Sequence, residues 1–310
     1  MWFHRDIDKY AGYNIYSMKK YVNRKRIILI TVLIVLIFIM LAISIFYIAE
    51  TIKINKREKA FTNQLVEFTQ KIQNEEQQKE KEEKEQKGKK PQLTDKGREN
   101  LKNIYHGDDK IAYLTFDDGP SNNTSKILDI LNQYNIKATF FVLGAQVKIF
   151  PETTNRMYNE GHYIANHGYS HKYQTIYQSP EQVLNEFNQC NQIVAQTINV
   201  PEYNSHLFRF PGGSVGGKYA SIKSQAATLL SQNNILYIDW NSLTGDAQKQ
   251  DLTEDYLMEN LKNTTANKNH IVVLMHDAQA KIKTVEVLPK VIEYLKQQGY
   301  SFQNFYSIII

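Results

Sequence analysis

The sequence of 310 residues is long enough for one large or two small domains, and its single cysteine, Cys190, excludes an internal disulfide and a cysteine-rich zinc site. The net charge of +5 arises in residues 1–106, which carry 21 Lys and Arg against 13 Asp and Glu. Residues 107–310 carry 16 against 19, so the charge gives no reason to expect the C-terminal part to bind nucleic acid.

Residues 27–48 form an uncharged, almost wholly apolar run of 22 residues. At about 1.5 Å per residue the run spans roughly 33 Å, which is enough for the hydrocarbon core of a bilayer. A cleaved signal peptide would have a shorter apolar region and a small-x-small site, which Ala49-Glu50-Thr51 does not supply. We therefore predict a retained transmembrane anchor, residues 27–48.

The Lys and Arg residues on either side of this run predict its orientation. Seven precede it within residues 1–26, and four follow it closely, at positions 53, 56, 57 and 59. Because loops rich in Lys and Arg stay in the cytoplasm, residues 1–26 are predicted to be a cytoplasmic basic tail. The protein is then a single-pass protein of the cell membrane whose C-terminal part is extracellular and faces the cell wall.

Residues 49–106 are predicted to be a charged stalk or linker. Their first forty residues are rich in Lys, Glu and Gln, and Glu-to-Lys pairs four residues apart favour a helix. A disordered linker is the alternative, since such polar composition buries little apolar surface. Gly88 and Pro91 mark the end of the charged run. In either form the segment is interpreted as a spacer and not as a site.

Residues 107–310 alternate between strand-type apolar runs and stretches of helical spacing. The strand-type runs are Ile111–Phe116, Ala138–Leu143, His162–Ala165, Leu207–Phe210, Ile235–Ile238, Ile271–Met275 and, more weakly, Ser301–Phe305. The predicted helices lie near 123–134, 151–160, 180–198, 219–232, 253–262 and 283–298. This alternation predicts an α/β fold, a distorted (β/α) barrel of about seven parallel strands, with an open doubly wound sheet as the alternative.

Chemistry in such a barrel gathers where the strands end, and ionisable residues follow five of the seven runs. The groups are Asp117-Asp118, Asn166-His167-Gly168-Tyr169-Ser170-His171, Arg209-Phe210-Pro211-Gly212-Gly213, Asp239-Trp240 with Thr244-Gly245-Asp246, and His276-Asp277. An ordinary solvated rim would show Lys and Glu mixed with Ser instead. The five loops together therefore predict one active site.

His167 and His171 are four residues apart, so one helical turn would bring both imidazoles to the same side. With the carboxylate of Asp118 they make a three-ligand set that leaves a position open for water. Zinc suits this set best, and cobalt, nickel or iron are the alternatives. The prediction is one divalent metal ion that lowers the pKa of a bound water and turns it into a nucleophile.

The remaining groups supply the other roles that such a hydrolysis needs. Asp117 is predicted to be the general base and His276 the general acid. Asp246 or Asp239 would hold the imidazole of His276 protonated and oriented. Arg209 would pair with Asp117 and keep it ionised. The backbone N–H groups of the Gly212-Gly213 pair can approach a developing oxyanion closely.

Residues 110–305 resemble the polysaccharide deacetylase (NodB-homology) domain, carbohydrate esterase family four. The motifs that carry the resemblance are Thr-Phe-Asp-Asp-Gly-Pro at 115–120, His167 with His171, Arg209-x-Pro211, Asp246, and Leu274-Met275-His276. The resemblance implies metal-dependent removal of acetyl groups from N-acetylated sugars. It also implies Asp118, His167 and His171 as metal ligands, Asp117 as base, His276 as acid tuned by Asp246, Arg209 as the partner of Asp117, and Leu274 in the acetyl-methyl pocket.

Three positions depart from the family's pattern. Gly168 stands where a Ser or Thr usually follows the first ligand histidine, so a hydrogen bond within that loop is lost. Ala247 stands where the family often has Trp, and Trp240 is the candidate for the missing aromatic wall. Gly212 replaces a Tyr, so only its backbone N–H can contact the substrate.

We interpret residues 107–310 as the catalytic domain of a membrane-anchored, metal-dependent peptidoglycan N-acetylglucosamine deacetylase. The expected partners are a cell-wall glycan polymer and, through residues 27–48, the membrane; the sequence indicates no protein partner. An exported surface polysaccharide or a chitin-like oligomer is the alternative substrate. A catalytically silent glycan-binding barrel and a two-metal phosphoesterase are the alternatives from other functional classes.

Overall fold

A computed structural model describes residues 7–86, 89–249 and 252–309. Contacts divide the chain into two compact units, residues 1–78 and 79–310. Residues 1–6 of the predicted basic tail and Gly88, the predicted end of the charged run, lie outside the described residues. The division into tail, anchor, stalk and catalytic domain stays a prediction.

The N-terminal part of the chain is one long helix, α1, Ile7–Gln86. Its side chains from 28 to 48 are exposed, and the stretch Ile28–Gln77 is a candidate membrane span by length and composition. The helix continues without a break through the Lys-, Glu- and Gln-rich segment as far as Gln86, which is the helical form of the predicted stalk.

The C-terminal unit is an α/β fold built on parallel strands. Its strands are β1 Ile111–Asp117, β2 Thr139–Val142, β3 Tyr163–Asn166, β4 Leu207–Phe208, β5 Leu236–Tyr237, β6 Ser242–Leu243, β7 His270–His276 and β8 Ser301–Gln303. Its helices are α2 Asp95–Lys102, α3 Asn122–Gln133, α4 Gly144–Ile149, α5 Pro151–Asn159, α6 Tyr173–Ile176, α7 Pro180–Thr197, α8 Ala220–Gln232, α9 Glu254–Thr265 and α10 Ile282–Gln297. A short 3₁₀ helix, Phe305–Ser307, follows β8.

Seven strands lie side by side in the order β5-β4-β3-β2-β1-β7-β6, and β8 pairs with the first half of β1. Every pairing is parallel, and the sheet curls into a half-barrel. The predicted fold class is confirmed. No pairing joins β5 to β6 within the described residues, so the curled sheet is open on that side.

Side chains along the central strands alternate between two faces, as the two-residue period of a strand requires. On β1, Ala112, Leu114 and Phe116 join the large core beneath the helices, whereas Tyr113 joins a second cluster inside the curl. Because paired residues on parallel strands face the same way, β7 follows this pattern, with Val273 paired to Leu114. Polar side chains at the odd positions of β1 therefore point into the curl.

Four short elements were not predicted: β6 and the helices α2, α4 and α6. Both β6 and α6, with two and four residues, span only about one period, so no repeating pattern marks them in the sequence. The helix α2 lies in the segment assigned to the stalk, and its composition is polar apart from Leu101. Leu101 and Ile104 nevertheless belong to the cluster inside the curl, together with Phe305.

We expect the segment just before residue 107 to stabilise the C-terminal unit. Ile104→Ala should lower the free energy of unfolding by about 2–5 kcal/mol, because it opens a cavity at a buried position. Asn103→Ala, at the exposed neighbouring position, should change it by no more than about 0.5 kcal/mol. Chemical denaturation measures both; equal values would mean that this segment is only a linker.

Candidate active site

Strand alternation and register place the first two catalytic candidates next to each other. Asp117 ends β1 at an odd position and so points into the curl, where it is buried. His276 ends β7 and is the register partner of Asp117. The backbone N–H of Asp277 donates to the carbonyl of Asp117 at 3.1 Å, which fixes the two strand ends together.

The three predicted metal ligands meet just beyond the end of β1. The Asp118 Oδ1 atom lies 3.2 Å from His171 Nε2 and 3.5 Å from His167 Nε2. All three ligand atoms lie within 4.8 Å of one another. Two ligands at zinc–nitrogen distances of about 2.1 Å would be about 3.4 Å apart around a tetrahedral ion. The spacing therefore suits a single small divalent cation.

The donor chemistry of these side chains also fits a cation. His167 Nδ1 bonds the carbonyl of Arg209 at 2.7 Å, so Nδ1 carries the proton and Nε2 keeps its lone pair. Burial lowers the pKa of His167 to about 3, which keeps the imidazole neutral, as a ligand must be. Asp118 Oδ1 is buried without a hydrogen-bond partner in the described part of the chain. A bound cation would satisfy it.

The loop that carries both histidines is held by Glu186, a residue that the sequence analysis missed. The Glu186 carboxylate accepts the backbone N–H groups of Tyr169 and Ser170, both at 2.7 Å, and the Ser170 hydroxyl at 2.8 Å. These bonds hold the loop although Gly168 lacks the family's side chain there. Gly168 itself adopts a φ of +89°, in the left-handed region that favours glycine.

Glu186 could have been found from helical spacing. On α7, Glu186 lies on the same face as Val183, Phe187 and Cys190. All four side chains on this face are buried. A carboxylate at such a position needs a partner of its own, because a buried charge is costly when it is not hydrogen-bonded. A Glu within the apolar stripe of an amphipathic helix was therefore a signal in the sequence.

Arg209 holds Asp117 from inside the curl, as the sequence predicted. Its Nη1 atom donates to Asp117 Oδ1 and to Thr115 Oγ1, both at 2.8 Å. Its other nitrogens donate to the carbonyls of Ile238 and Asp239 at 3.2 and 3.1 Å. Burial raises the pKa of Asp117, and the Arg209 guanidinium opposes this rise. The result is a buried carboxylate of enhanced basicity with a fixed orientation.

The imidazole of His276 is bound by Asp246, which decides between the two predicted partners. His276 Nδ1 and Asp246 Oδ1 are 2.8 Å apart, and the other Asp246 oxygen accepts the His276 backbone N–H and the Thr284 hydroxyl, both at 2.7 Å. Burial lowers the pKa of His276, but the bond and charge of Asp246, helped by Asp117, outweigh burial and raise it to about 9. His276 is therefore protonated at neutral pH.

Asp239 has a different partner. Its carboxylate accepts the Ser214 backbone N–H at 3.0 and 3.1 Å and the Ser214 hydroxyl at 2.6 Å. On the other side of the same turn, the buried ammonium of Lys223 donates to the Gly213 carbonyl at 2.7 Å. Asp239 and Lys223 thus fix the backbone that follows Arg209-Phe210-Pro211.

The fixed turn leaves one backbone donor unbonded at a residue that lines the cleft, within the described part of the chain. The Gly213 N–H donates to the Phe210 carbonyl at 2.8 Å and is therefore committed to the turn. The Gly212 N–H has no hydrogen bond within the described part of the chain, and Gly212 lines the cleft. Of the two predicted oxyanion donors, Gly212 is the one available.

A cleft of about 410 Å³ connects these groups, and Trp240 and Leu274 line its wall as predicted. Tyr173 also lines it, which the sequence analysis missed. The Tyr173 hydroxyl lies 2.5 Å from the point where a Cβ atom at Gly212 would stand. Tyr173 therefore fills part of the space left by the missing side chain of residue 212.

Asp277 supports the turn between β1 and α3. The position of a Cβ at Gly119 would lie 2.0 Å from Asp277 Oδ2, so only glycine fits beside this carboxyl group. Asp277 Oδ2 accepts the Thr124 hydroxyl at 2.5 Å, and burial raises the pKa of Asp277 to about 7. The close contact with Asp277 thus explains why glycine stands at position 119, in addition to the turn that Gly119-Pro120 forms.

Comparison with known proteins agrees with this geometry. The model of the polysaccharide deacetylase family matches residues 105–229. The chain is 33% identical over 203 residues to a peptidoglycan-N-acetylglucosamine deacetylase of Bacillus cereus, covering 64% of this chain and 70% of that protein. It is 31% identical to the catalytic domain of a Eubacterium rectale peptidoglycan N-acetylglucosamine deacetylase, with a TM-score of 0.59, covering 64% of this chain and 90% of that structure.

The same fold also occurs without activity. A carbohydrate esterase family 4 pseudoenzyme from Bacillus anthracis is 23% identical, with a TM-score of 0.54, covering 66% of this chain and 67% of that structure. At that identity the likeness concerns the fold alone. The side chains around the cleft therefore carry more weight than the fold in any argument about activity.

We expect Asp246→Asn to lower the pKa of His276 below its value of about 9. The substitution removes the carboxylate charge that outweighs burial, so the imidazole loses its proton at a lower pH. Histidine-ring NMR of chelator-treated protein measures the shift, with His276→Gln to assign the signal. An unchanged titration in Asp246→Asn would mean that Asp246 does not tune His276.

Proposed function

This chain belongs to the polysaccharide deacetylase family, and we propose that it is a membrane-anchored, metal-dependent enzyme that removes N-acetyl groups from the N-acetylglucosamine residues of peptidoglycan. The observation that carries the proposal is the meeting of a three-residue ligand set, a buried carboxylate and a carboxylate-bound imidazole around one cleft. These groups come from the ends of three strands, β1, β3 and β7, which are far apart in the sequence.

In this proposal Asp118, His167 and His171 hold one divalent cation. When bound, such a cation polarises the acetyl carbonyl and makes water nucleophilic near neutral pH. Neutral imidazoles and a carboxylate suit zinc, with cobalt, nickel or iron as alternatives. The bond between His167 Nδ1 and the Arg209 carbonyl orients one imidazole before the cation arrives.

Asp117 removes the proton from the attacking water. Its Oδ1 is bound to Arg209, and its Oδ2 lies 3.9 Å from His167 Nε2, so the second oxygen is the one that faces the ligand set. Burial raises the pKa of Asp117 and so makes the carboxylate a better base. Arg209 keeps the group ionised and prevents it from turning away.

His276 gives its proton to the departing amine nitrogen. Its Nδ1 is bound to Asp246, so Nε2 is the nitrogen left to face the cleft. The Gly212 N–H donates to the oxyanion that develops on the acetyl carbonyl. The Leu274 side chain, which is buried at the cleft wall, contacts the acetyl methyl group, and Trp240 forms one wall for the sugar ring.

The choice of peptidoglycan rests on the relatives and on the N-terminal helix together. Two similar proteins carry the name of peptidoglycan N-acetylglucosamine deacetylase. A membrane anchor at residues 27–48 with a helical stalk would hold the catalytic unit outside the cell, where wall polymer is present. An exported surface polysaccharide or a chitin-like oligomer is the alternative substrate.

Two other functional classes are less well supported. A silent glycan-binding barrel would need no base or acid, yet Asp117 and His276 are both present and bound by specific partners. A two-metal phosphoesterase needs a second set of ligands. Among the described residues, Asp118, His167 and His171 are the single group of three or more with metal-binding spacing.

We expect the full chain in detergent micelles to release acetate from purified peptidoglycan, and to stop when a chelator removes the cation. Zinc should restore the release, and N-acetylglucosamine oligomers and a surface polysaccharide are compared in the same assay. Failure to release acetate from all three substrates with metal present would overturn the enzyme proposal. Release that persists after chelation would overturn the metal dependence alone.

The roles of the two neighbouring carboxylates can be separated. Asp117→Asn should lower the rate of acetate release by roughly 10²–10⁴-fold, the usual contribution of a general base, with metal content unchanged. Asp118→Asn should lower both the rate and the metal content, because it removes a ligand. Asp108→Asn, the same change at an exposed site, is the control. Loss of metal in Asp117→Asn would make Asp117 a ligand.

A further inference from the structure

The part of α1 that follows the apolar run carries a second, narrower apolar stripe. Its members are Ile54, Phe61, Leu65, Phe68 and Ile72, whose side chains are 52%, 66%, 55%, 64% and 40% exposed. From one member to the next the spacing is seven, four, three and four residues. Such regular spacing places all five side chains along one line of the helix.

A bilayer cannot cover this stripe if residues 27–48 span the membrane. Phe61 lies 13 residues beyond Ile48, or about 20 Å along the helix, and Ile72 lies about 36 Å beyond it. The basic residues Lys53, Lys56 and Arg57 also lie between the apolar run and Phe61. From Phe61 onward the stripe therefore stands in water, where exposed phenylalanine and leucine side chains favour burial against another protein surface.

The spacing of the stripe indicates which kind of protein surface could bury it. Steps of four and three residues average 3.5 residues per turn, which is the repeat of a left-handed coiled coil. In that repeat Leu65 and Ile72 take a positions, whereas Ile54, Phe61 and Phe68 take d positions. A second copy of the same helix offers an identical stripe with the same period. Each a or d side chain can therefore pack into the space between side chains of the partner helix.

Charges beside the stripe favour a parallel pair in register. Lys71 takes the g position and Glu76 takes the e position five residues later, which are opposed between chains in a parallel dimer. Lys71 of each chain then faces the partner's Glu76, and symmetry makes this pair twice. The other pairs of this kind contain no like charges: Arg57 with Thr62, and Gln64 with Thr69. Glu58 at an a position and Glu75 at a d position weaken the seam, because each faces the same residue of the partner.

We propose that residues 54–76 of two copies of this chain form a parallel, in-register coiled coil, so that the protein is a dimer joined through its stalk. The parallel orientation rests on the proposed membrane anchor, because anchoring both chains in one bilayer puts their N-termini on the same side. The dimer itself does not depend on the proposed enzyme activity. The stalk thus becomes an interaction surface as well as a spacer.

Cysteine cross-linking of the full chain in detergent micelles tests the seam. Leu65→Cys and Ile72→Cys should each form a disulfide-linked dimer under mild oxidation, because seam residues of a parallel pair lie within the reach of a disulfide, about 7 Å between Cα atoms. Asn63→Cys and Gln70→Cys, on the outer face of the same helix, should stay monomeric on a non-reducing gel. The wild type is a background control, since its single thiol, Cys190, is buried.

Mass measurement by light scattering tests the same proposal without new thiols. The wild type should have the mass of two chains, and Leu65→Lys with Phe68→Lys should have the mass of one. Asn63→Lys with Gln70→Lys, which adds the same charge to the outer face, should remain dimeric. Acetate release from soluble oligomers should be the same in all three proteins, because none of these residues belongs to the catalytic cleft.

Three results would overturn the coiled coil. The first is a wild type that has the mass of a single chain, and the second is cross-linking at Gln70→Cys equal to that at Ile72→Cys. The third is a monomer in lipid vesicles whose probe at Leu65→Cys is quenched by lipid-soluble quenchers, which would assign the stripe to the membrane surface. Each of these results leaves the proposed deacetylase activity untouched, and a failed acetate assay leaves the dimer untouched.

Discussion

A fully buried guanidinium connects most of the groups that surround the cleft. Arg209 is 0% exposed, and its central carbon lies 3.9 Å above the ring of Phe141. Such a charge is stable inside a protein only when its donors are bound and a counter-charge is near. Asp117 supplies that counter-charge, and three oxygens from β1 and from the two residues after β5 accept three further N–H groups. The same residue's carbonyl orients His167.

This arrangement makes the geometry of the base and of one ligand interdependent. The backbone of Arg209 is bonded to Asn166 on the neighbouring strand, and its side chain reaches back to β1. A shift of Arg209 would therefore move the base and the ligand together, which preserves their spacing. On the opposite side of the cleft, Asp246 plays a similar part for His276 through both the ring and the backbone. Two buried charges of opposite sign, Arg209 and Asp246, thus fix the side chains on the two sides of the cleft.

The sequence predicted the parts of this structure that local periodicity can express. Asp117 and His276 were visible because each follows an apolar strand-type run, and Arg209 was visible because it is a charge near the end of another such run; strand register then brings those ends together. The partners of Asp239 and Lys223 were not visible, since they depend on how one turn packs against another element. Strand β6 was missed because two residues carry no period. Glu186 could be found from helical spacing, but only if its helix was treated as amphipathic, with one face buried in the core.

Tyr173 and Gly212 are constrained as a pair, and this has an evolutionary consequence. Any side chain at position 212 would begin 2.5 Å from the Tyr173 hydroxyl, and the backbone there adopts a φ of +75°. A larger residue at 212 therefore requires Tyr173 to shift or to be replaced. The two positions are epistatic, because the effect of a substitution at one depends on the residue at the other.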